Sequence, residues 1–442
     1  MSNLILNEMQ QLMGFGSAIN KPKEKIVMLL SAGFSIMKGY PSGKTLNDRI
    51  SSFLKEEFVF TPNGELLKMN MEKTMTKTNC IHDYNVYEKS YLLLRDIIKH
   101  YVENSEETFD YETFYDAIEV NYPKDSNELQ TVAFNIWSDE YRGLAEEYIT
   151  EEISYERLVS NLTIIYDQLI AYFLQGDKKS LFYPNKPCQI NEDKNYEQFL
   201  KFLYDRSKDS IIDVFTTNHD MVFESFRNIP ELSDLISDGF DDYGSEFFGD
   251  IEVDGYKYRC RLERYTGKYN APIRLYKLHG SLDYVLYHKT QGVKCNIGGE
   301  KVRLNCSVPV KYVKIKQGMN PYDVSNLVRC QRKYEYSSSA IYCDFLSGTQ
   351  TKIKRYKNPY LYKKLFGLFA ERLRKAGKLI IIGYGCGDTK INEIISNNYK
   401  GADKKLYMIN PDAENLKEKI HIDGVVIPIS KSVNGGILDC KI

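Results

Sequence analysis

The sequence predicts an α/β protein with a doubly wound, mostly parallel, Rossmann-like sheet and a large helical insertion domain. The first observation is a set of short, mostly apolar runs, which are typical of strands buried on both faces. These runs are residues 25–31, 211–216, 378–383, 404–410 and 424–428. The second observation is the helical periodicity of residues 360–376 between two of the runs, because strands that alternate with helices indicate a parallel sheet.

The third observation is the gap of about 180 residues between the first two runs, which is far longer than an ordinary connection between strands. We therefore predict an inserted domain at residues 46–205. This segment has 30 acidic and 16 basic residues, whereas the rest of the chain has 30 and 43, and such a charge asymmetry supports a boundary. Residues 1–24 are assigned to an N-terminal extension. Residues 25–45 and 206–442 are assigned to the domain that carries the sheet.

The inserted segment is predicted to be mostly helical, because its apolar residues recur at helical spacing. Two such stripes are Leu94, Ile97, Ile98 and Tyr101, and Leu158, Leu162, Ile165, Leu169 and Tyr172. Stripes of this kind are usually the core of a bundle, so we expect the insertion to serve assembly or regulation and to add little to the chemistry directly. Residues 229–357 instead show short β patterns, including 273–278, with the Gly and Asn punctuation of hairpins.

Composition narrows the class of protein. The chain is 43% hydrophobic and 27% charged, and its longest apolar runs are too short to cross a bilayer. The N-terminus lacks the basic region and cleavage site of a signal peptide, and nine cysteines without an obvious pairing suit free thiols, so a cytoplasmic location is expected. The basic remainder of the chain suits either a phosphate-bearing ligand or simply a mixed surface, and direct nucleic-acid binding is not expected.

Two polar motifs follow the first two predicted strands, at the edge where open α/β sheets place ligands. The small residues of 31–35 (SAGFS) would let the backbone approach a pyrophosphate. In 216–220 (TTNHD), the Asn218 amide could orient a water or a ribose hydroxyl, and Asp220 could accept from a carboxamide. Each motif also has a purely structural interpretation, as a glycine turn or as a helix N-cap.

Two further motifs follow later strands. In 277–282 (KLHGSL), His279 could act as a general base, although a buried histidine bonded to backbone is an alternative. In 383–388 (GYGCGD), the glycines permit close approach of a ligand, and Asp388 could bind a hydroxyl or simply cap the next helix. Asn410 offers an amide at the end of the following strand.

The order and spacing of these motifs resemble the sirtuin-like family. The family pattern has a glycine turn after the first strand, an Asn-x-Asp motif, a His-Gly-Ser motif, a late glycine-rich strand end and a terminal Asn. The resemblance covers residues 25–45 and 206–430 and implies an NAD-binding catalytic domain. It implies that Asn218 and His279 are the catalytic pair and that Asp220 binds the nicotinamide carboxamide. The other residues assigned to NAD binding are Ala32, Gly33, Phe34, Ser35, Gly383, Gly385, Asp388 and Asn410.

The sequence departs from the protein deacylases of that family in three places. Ser31 replaces the usual first glycine of the turn, and Ser42-Gly43-Lys44 stands where those enzymes have Asp-Phe-Arg. The chain has no Cys-x-x-Cys pair, and the cysteines between 295 and 343 lack the spacing of a structural zinc site, so no zinc or other metal is expected.

The chain therefore resembles the zinc-free bacterial sirtuin-like NADases of antiphage defence more closely than it resembles the protein deacylases. This resemblance implies hydrolysis of NAD to nicotinamide and ADP-ribose, with a HerA-type hexameric ATPase as a candidate partner. A homo-oligomer is expected on a different ground, because the helical insertion is rich in tyrosine and its charge is opposite to that of the rest of the chain. The alternatives are an NAD-dependent protein deacylase or ADP-ribosyltransferase, and a non-catalytic module that senses NAD or ADP-ribose.

Overall fold

The computed structural model describes residues 24–53, 55–60, 66–68, 86–105, 108–119, 128–141, 159, 161–175, 190, 193–290, 293–297, 300–304, 311–316, 319–325, 335–338, 345–349 and 360–440. The predicted N-terminal extension therefore lies almost wholly outside the described residues. None of the helices in the described ranges is both long and apolar enough to cross a membrane.

A seven-stranded sheet organises the described part of the chain. In chain order its strands are β1 (Glu24–Leu30), β2 (Ser210–Thr216), β3 (Ile236–Ser237), β4 (Ile273–Lys277), β5 (Lys378–Ile382), β6 (Lys405–Ile409) and β7 (Val425–Ile429). Their order across the sheet is β7-β6-β5-β1-β2-β4-β3, and every neighbouring pair is parallel.

The direction of winding reverses at β1. The chain runs outward on one side through β2 and β4, and then crosses back to β5 on the other side of β1. In register, Met28 of β1 lies between Val214 of β2 and Ile380 of β5. The prediction of a doubly wound parallel sheet is confirmed. Ligands of such sheets bind beside the carboxyl ends of the strands at this point of reversal.

The longer helices are α1 (Gly43–Ser52), α2 (Val86–Asn104), α3 (Tyr111–Ile118), α4 (Glu128–Ile136), α5 (Leu162–Gln175), α6 (Glu197–Ser207), α7 (Tyr360–Lys375), α8 (Thr389–Asn398) and α9 (Val433–Asp439). Single turns of α-helix occupy Ala32–Ser35, Val222–Ser225 and Ala413–Leu416.

The two faces of the sheet are covered by different helices, because successive side chains of a strand point to opposite faces. Val27 and Leu29 of β1 pack in the cluster that contains α7 and α8. Ile26 and Met28 pack in the cluster that contains α6 and α9. Although α6 lies within the predicted 46–205 segment, its buried residues thus belong to the layer beneath the sheet.

Helices α1 to α5 pack in one hydrophobic cluster, to which Leu282 and Phe345 from outside the insertion also belong. Its fully buried aromatic residues include Tyr91, Phe114 and Tyr166. A small hairpin, Phe58–Phe60 with Leu66–Lys68, also belongs to this segment.

The region between β3 and α7 contains short antiparallel strands, as the sequence predicts. These are Gly239–Asp241, Phe248–Val253, Tyr256–Arg261, Glu263–Lys268, Tyr284–Thr290, Val293–Ile297, Glu300–Leu304, Lys311–Lys314, Met319–Ser325 and Glu335–Ser338. The exception is β4. Residues 273–278 were predicted to belong to the hairpins, but β4 pairs in parallel with β2 in the main sheet. Its five residues include Arg274 and Lys277, and these charges hide its buried position from a hydrophobicity pattern.

Candidate functional site

A cavity of about 680 Å³ lies at the carboxyl edge of the sheet, at the point where the winding reverses. From the segments that follow the sheet strands, it is lined by Ser31, Ala32, Ser35, Thr217, Asn218, His219, Asp220, His279, Tyr384, Gly385, Gly387, Asp388 and Thr389. The structure therefore brings Ala32, Ser35, Asn218, Asp220, His279, Gly385 and Asp388, all predicted site residues, to one cavity.

Asn218 is held by the turn that follows β1. Its Nδ2 donates to the backbone oxygen of Ser31 over 3.0 Å and to Oγ of Ser35 over 2.9 Å. Because an amide nitrogen carries two hydrogens, both are used within the protein, and Oδ1 is the atom of this side chain that can accept from a ligand or a water. Thr217 donates its hydroxyl to Oγ of Ser31 over 2.9 Å, so the serine at the usual glycine position braces the same turn.

His279 also lines the cavity, from the tight turn after β4. The side chain is largely buried, and the following residue, Gly280, has a φ of 82°, a conformation that favours glycine. The backbone oxygen of His279 accepts from the Leu346 amide over 2.7 Å. Its Nε2 lies 3.4 Å from Oδ2 of Asp388, and the ring of His219 lies 6.2 Å away between centroids.

Asp220 lines the cavity and contacts a buried ion pair. Its Oδ1 accepts from the Val222 amide over 2.9 Å, and its backbone oxygen accepts from Nζ of Lys277. Nζ of Lys277 lies 3.1 Å from Oε1 of Glu224, and both side chains are almost completely buried. Burial, followed by the charges of Asp220 and Glu224, raises the pKa of the nearby Tyr40 phenol well above its usual range.

Two of the predicted glycines join the turns after β1 and β5. The Gly33 amide donates to the Gly383 oxygen over 3.0 Å, and a Cβ atom at Gly33 would lie 2.6 Å from the Gly383 Cα. Neither glycine lines the cavity. The Phe34 side chain is buried among Tyr196, Phe199 and Phe226, on the side of α6.

We expect Gly383→Ala to lower the stability of the fold, while Gly385→Ala leaves it unchanged. Gly383 has a φ of 66°, and a Cβ there would lie 2.4 Å from the Phe34 nitrogen, whereas a Cβ at Gly385 meets nothing within 4 Å. The strain and the clash should cost about 1–3 kcal/mol. Thermal denaturation of both variants measures the difference, and equal midpoints would contradict the close contact of the two turns.

Asn410 braces the turn after β5. Its Nδ2 donates to the Tyr384 oxygen over 3.2 Å, and its Oδ1 accepts from the Asp412 amide over 2.9 Å. Asn410 does not line the cavity. By contrast, Gly385 and Gly387 line it, and neither has an atom within 4 Å of its Cβ position, so a ligand can approach this backbone closely.

The insertion supplies one wall of the cavity, although it was expected to add little to the chemistry directly. This wall and the segment leading to it consist of Tyr40, Pro41, Ser42, Gly43, Leu46, Asp110, Tyr111, Glu112 and Leu174. Helix α1 begins there, with Oγ of Ser42 accepting from the Thr45 amide over 3.1 Å. The amide groups at a helix N-terminus favour an anion.

A short segment, Phe345–Thr349, connects the His279 turn to the insertion. Phe345 pairs with Gly280 as an isolated β-bridge. Further along, the Ser347 hydroxyl donates to Asp167 over 2.8 Å, and the Thr349 amide donates to Asp116 over 3.0 Å. Nothing in the local sequence signals these contacts, because their partners are about 180 and 233 residues away.

The charge of the cavity is negative. Its titratable carboxylates are Asp110, Glu112, Asp220 and Asp388, and none of the described residues that line it is lysine or arginine. A bound phosphate would therefore be held by backbone amides and hydroxyls rather than by side-chain cations.

No cluster of three or more metal-ligating side chains occurs within the ranges that the structure describes. The side chains of the cysteines between 295 and 343, on which the expectation of a zinc-free chain depends, lie outside the described residues.

No protein-family model matches the chain, and no curated protein matches it. Among solved structures, the crystal structure of a Sir2 homolog–NAD complex aligns with 94% of this chain and 87% of its own. The sequence identity is 9% and the TM-score is 0.32. An identity and a TM-score this low do not assign the chain to a family.

Proposed function

We propose that this chain binds NAD in the cavity and hydrolyses it to nicotinamide and ADP-ribose. The observation that carries the proposal is the arrangement of Asn218, Asp220 and His279 around one cavity at the carboxyl edge of a doubly wound sheet. The resemblance of the motifs to the sirtuin-like pattern supports the same assignment. The cavity volume falls within the range of about 300–1,000 Å³ that is usual for small-molecule sites.

The proposed reaction breaks the bond between nicotinamide and ribose and forms a bond between the ribose and a water oxygen, with release of one proton. Asn218 would orient the water through Oδ1, because both hydrogens of its amide are donated to Ser31 and Ser35. His279 would accept the proton from the water or orient a ribose hydroxyl. Asp220 would accept a hydrogen bond from the nicotinamide carboxamide.

The phosphates would be bound by backbone and hydroxyl groups. The N-terminus of α1 at Ser42 and Gly43 offers amide groups to an anion. The hydroxyls of Ser31 and Ser35 line the opposite side, and the open backbone at Gly385 admits the adenosine half.

We further propose that the activity serves antiphage defence, in which depletion of NAD aborts infection. This step depends on the resemblance to bacterial sirtuin-like NADases, which also suggests a HerA-type hexameric ATPase as partner. A cytoplasmic location is proposed from the composition, and a homo-oligomer from the Tyr-rich helical insertion. Constant loss of NAD would harm the host cell, so the activity is expected to depend on assembly or on a trigger.

The experiment is to incubate purified chain with NAD, alone and with the candidate ATPase, and to follow nicotinamide and ADP-ribose by chromatography. Equal amounts of both products support the proposal. Nicotinamide release that requires an acyl-lysine peptide or a protein acceptor would instead indicate a deacylase or a transferase. Binding of NAD by calorimetry with no turnover in the activated state would indicate a sensor.

We expect a preference for NAD over NADP of about tenfold or more in kcat/KM, equivalent to about 1.4 kcal/mol. The extra phosphate of NADP would add negative charge to a cavity whose described lining includes Asp110 and Glu112 in the wall from the insertion and holds no lysine or arginine. Steady-state kinetics with both dinucleotides measures the ratio. The double substitution Asp110→Asn and Glu112→Gln should lower the ratio of kcat/KM for NAD to that for NADP. Equal kcat/KM for the two dinucleotides in the unaltered chain would mean that the carboxylates of the cavity do not repel the extra phosphate.

A further inference from the structure

A contact at the cavity connects the turn after β4 with the N-terminus of α8. Nε2 of His279 lies 3.4 Å from Oδ2 of Asp388, and the two side chains are 6% and 9% exposed. The other carboxylate oxygen, Oδ1, caps α8 by accepting from the amides of Lys390 over 3.0 Å and Ile391 over 3.1 Å.

These contacts occupy both oxygens of Asp388 with groups of the protein. The cap fixes the position of the carboxylate, because two backbone amides of one helix hold Oδ1. The backbone of His279 is fixed separately, through the Leu346 amide and the bridge between Gly280 and Phe345. These backbone contacts do not set the orientation of the His279 ring or the choice of the nitrogen that carries the hydrogen.

We propose that Asp388 is a positioning residue that selects the tautomer and the orientation of His279, rather than a ligand for the substrate. A carboxylate only accepts hydrogen bonds, so Nε2 of His279 carries its hydrogen towards Oδ2. Nδ1 is then the nitrogen that can accept a proton in the reaction. This role rests on the proposed hydrolysis of NAD, but the tautomer itself does not.

Two substitutions separate positioning from capping. Asn and Ser are both good N-caps, so Asp388→Asn and Asp388→Ser keep α8 while removing the carboxylate from His279. Loss of the orienting carboxylate of a histidine base can cost several orders of magnitude in turnover in other enzymes. We expect both variants to lose about tenfold or more in kcat, with KM and the thermal midpoint nearly unchanged. Asp412→Asn is the matched control, because Asp412 follows β6 and does not line the cavity.

The tautomer is measured directly by the ¹⁵N chemical shifts of the imidazole nitrogens, with His279→Gln to identify the signal among six histidines. The neutral ring should be protonated at Nε2 in the unaltered chain. In Asp388→Asn, where the amide oxygen caps α8 and the NH2 group faces Nε2, it should shift towards protonation at Nδ1, and in Asp388→Ser it should shift towards a mixture. An unaltered tautomer in both variants would overturn the proposal. So would kcat within twofold of the parent, provided that the parent hydrolyses NAD. If the parent does not, the ¹⁵N shifts alone decide the matter, and the proposed function fails separately.

Discussion

Asn218→Ala and His279→Ala are each expected to reduce NAD hydrolysis by about a hundredfold or more, while the protein remains folded. Asn218 presents one acceptor, Oδ1, to the cavity because Ser31 and Ser35 accept both of its hydrogens. Alanine at this position removes the orienting group for the water. Alanine at position 279 removes the base. Nicotinamide release under saturating NAD measures the loss in kcat.

Matched controls distinguish chemistry from general damage. Asn398→Ala removes an amide that bonds within the C-terminal turn of α8 and to Arg374, and His421→Ala removes an exposed imidazole. Both controls should keep their full turnover. Calorimetric binding of NAD by Asn218→Ala and His279→Ala should stay within about tenfold of the parent. Near-normal turnover in either variant would remove that residue from the proposed mechanism.

The fold was largely predictable from the sequence, because buried parallel strands are read from local hydrophobicity. Five of the seven sheet strands correspond to the five apolar runs. β4 was not recognised as a buried strand, because it ends in a charged residue, Lys277. In the fold Glu224 neutralises that charge, but no local sequence pattern identifies Glu224 as its partner. β3 has only two residues, which is too short for any periodicity.

Only the part of the site that directly follows the predicted strands could be predicted from the sequence. Asn218, Asp220 and His279 were assigned from motifs that resemble the sirtuin-like pattern, and the carboxyl ends of β2 and β4, which they follow, lie side by side in the sheet. The contact of His279 with Asp388 and the cavity wall at Asp110 depend on how helices dock on the sheet. Such contacts are set by packing over long sequence separations and leave no spacing signal.

Lys277→Met is expected to destabilise the protein by about 3–5 kcal/mol, the largest effect on stability that we predict. Nζ of Lys277 neutralises Glu224 beneath the cavity and also donates to the Asp220 oxygen. Methionine fills a similar volume but leaves the Glu224 carboxylate buried without its counter-ion. Chemical denaturation at pH 7 measures the loss. Lys378→Met is the matched control, because its pair with Glu24 is partly exposed and should contribute about 0–1 kcal/mol.

The pH dependence of the stability lost in Lys277→Met shows whether the buried charge of Glu224 causes the loss. Burial raises the pKa of the Glu224 carboxyl above its usual range, and the charge of Lys277 opposes that rise. In Lys277→Met, the pKa of the Glu224 carboxyl in the folded state rises further above its value in the unfolded state. As the pH falls through the range between these two pKa values, the folded variant takes up a proton on Glu224 and gains stability. The deficit of Lys277→Met should therefore shrink from pH 7 to pH 5. Adding Glu224→Gln should recover most of it at pH 7 and abolish its dependence on pH. A deficit that is the same at both pH values, or that Glu224→Gln leaves in place, would mean that lost packing and not the buried charge is responsible.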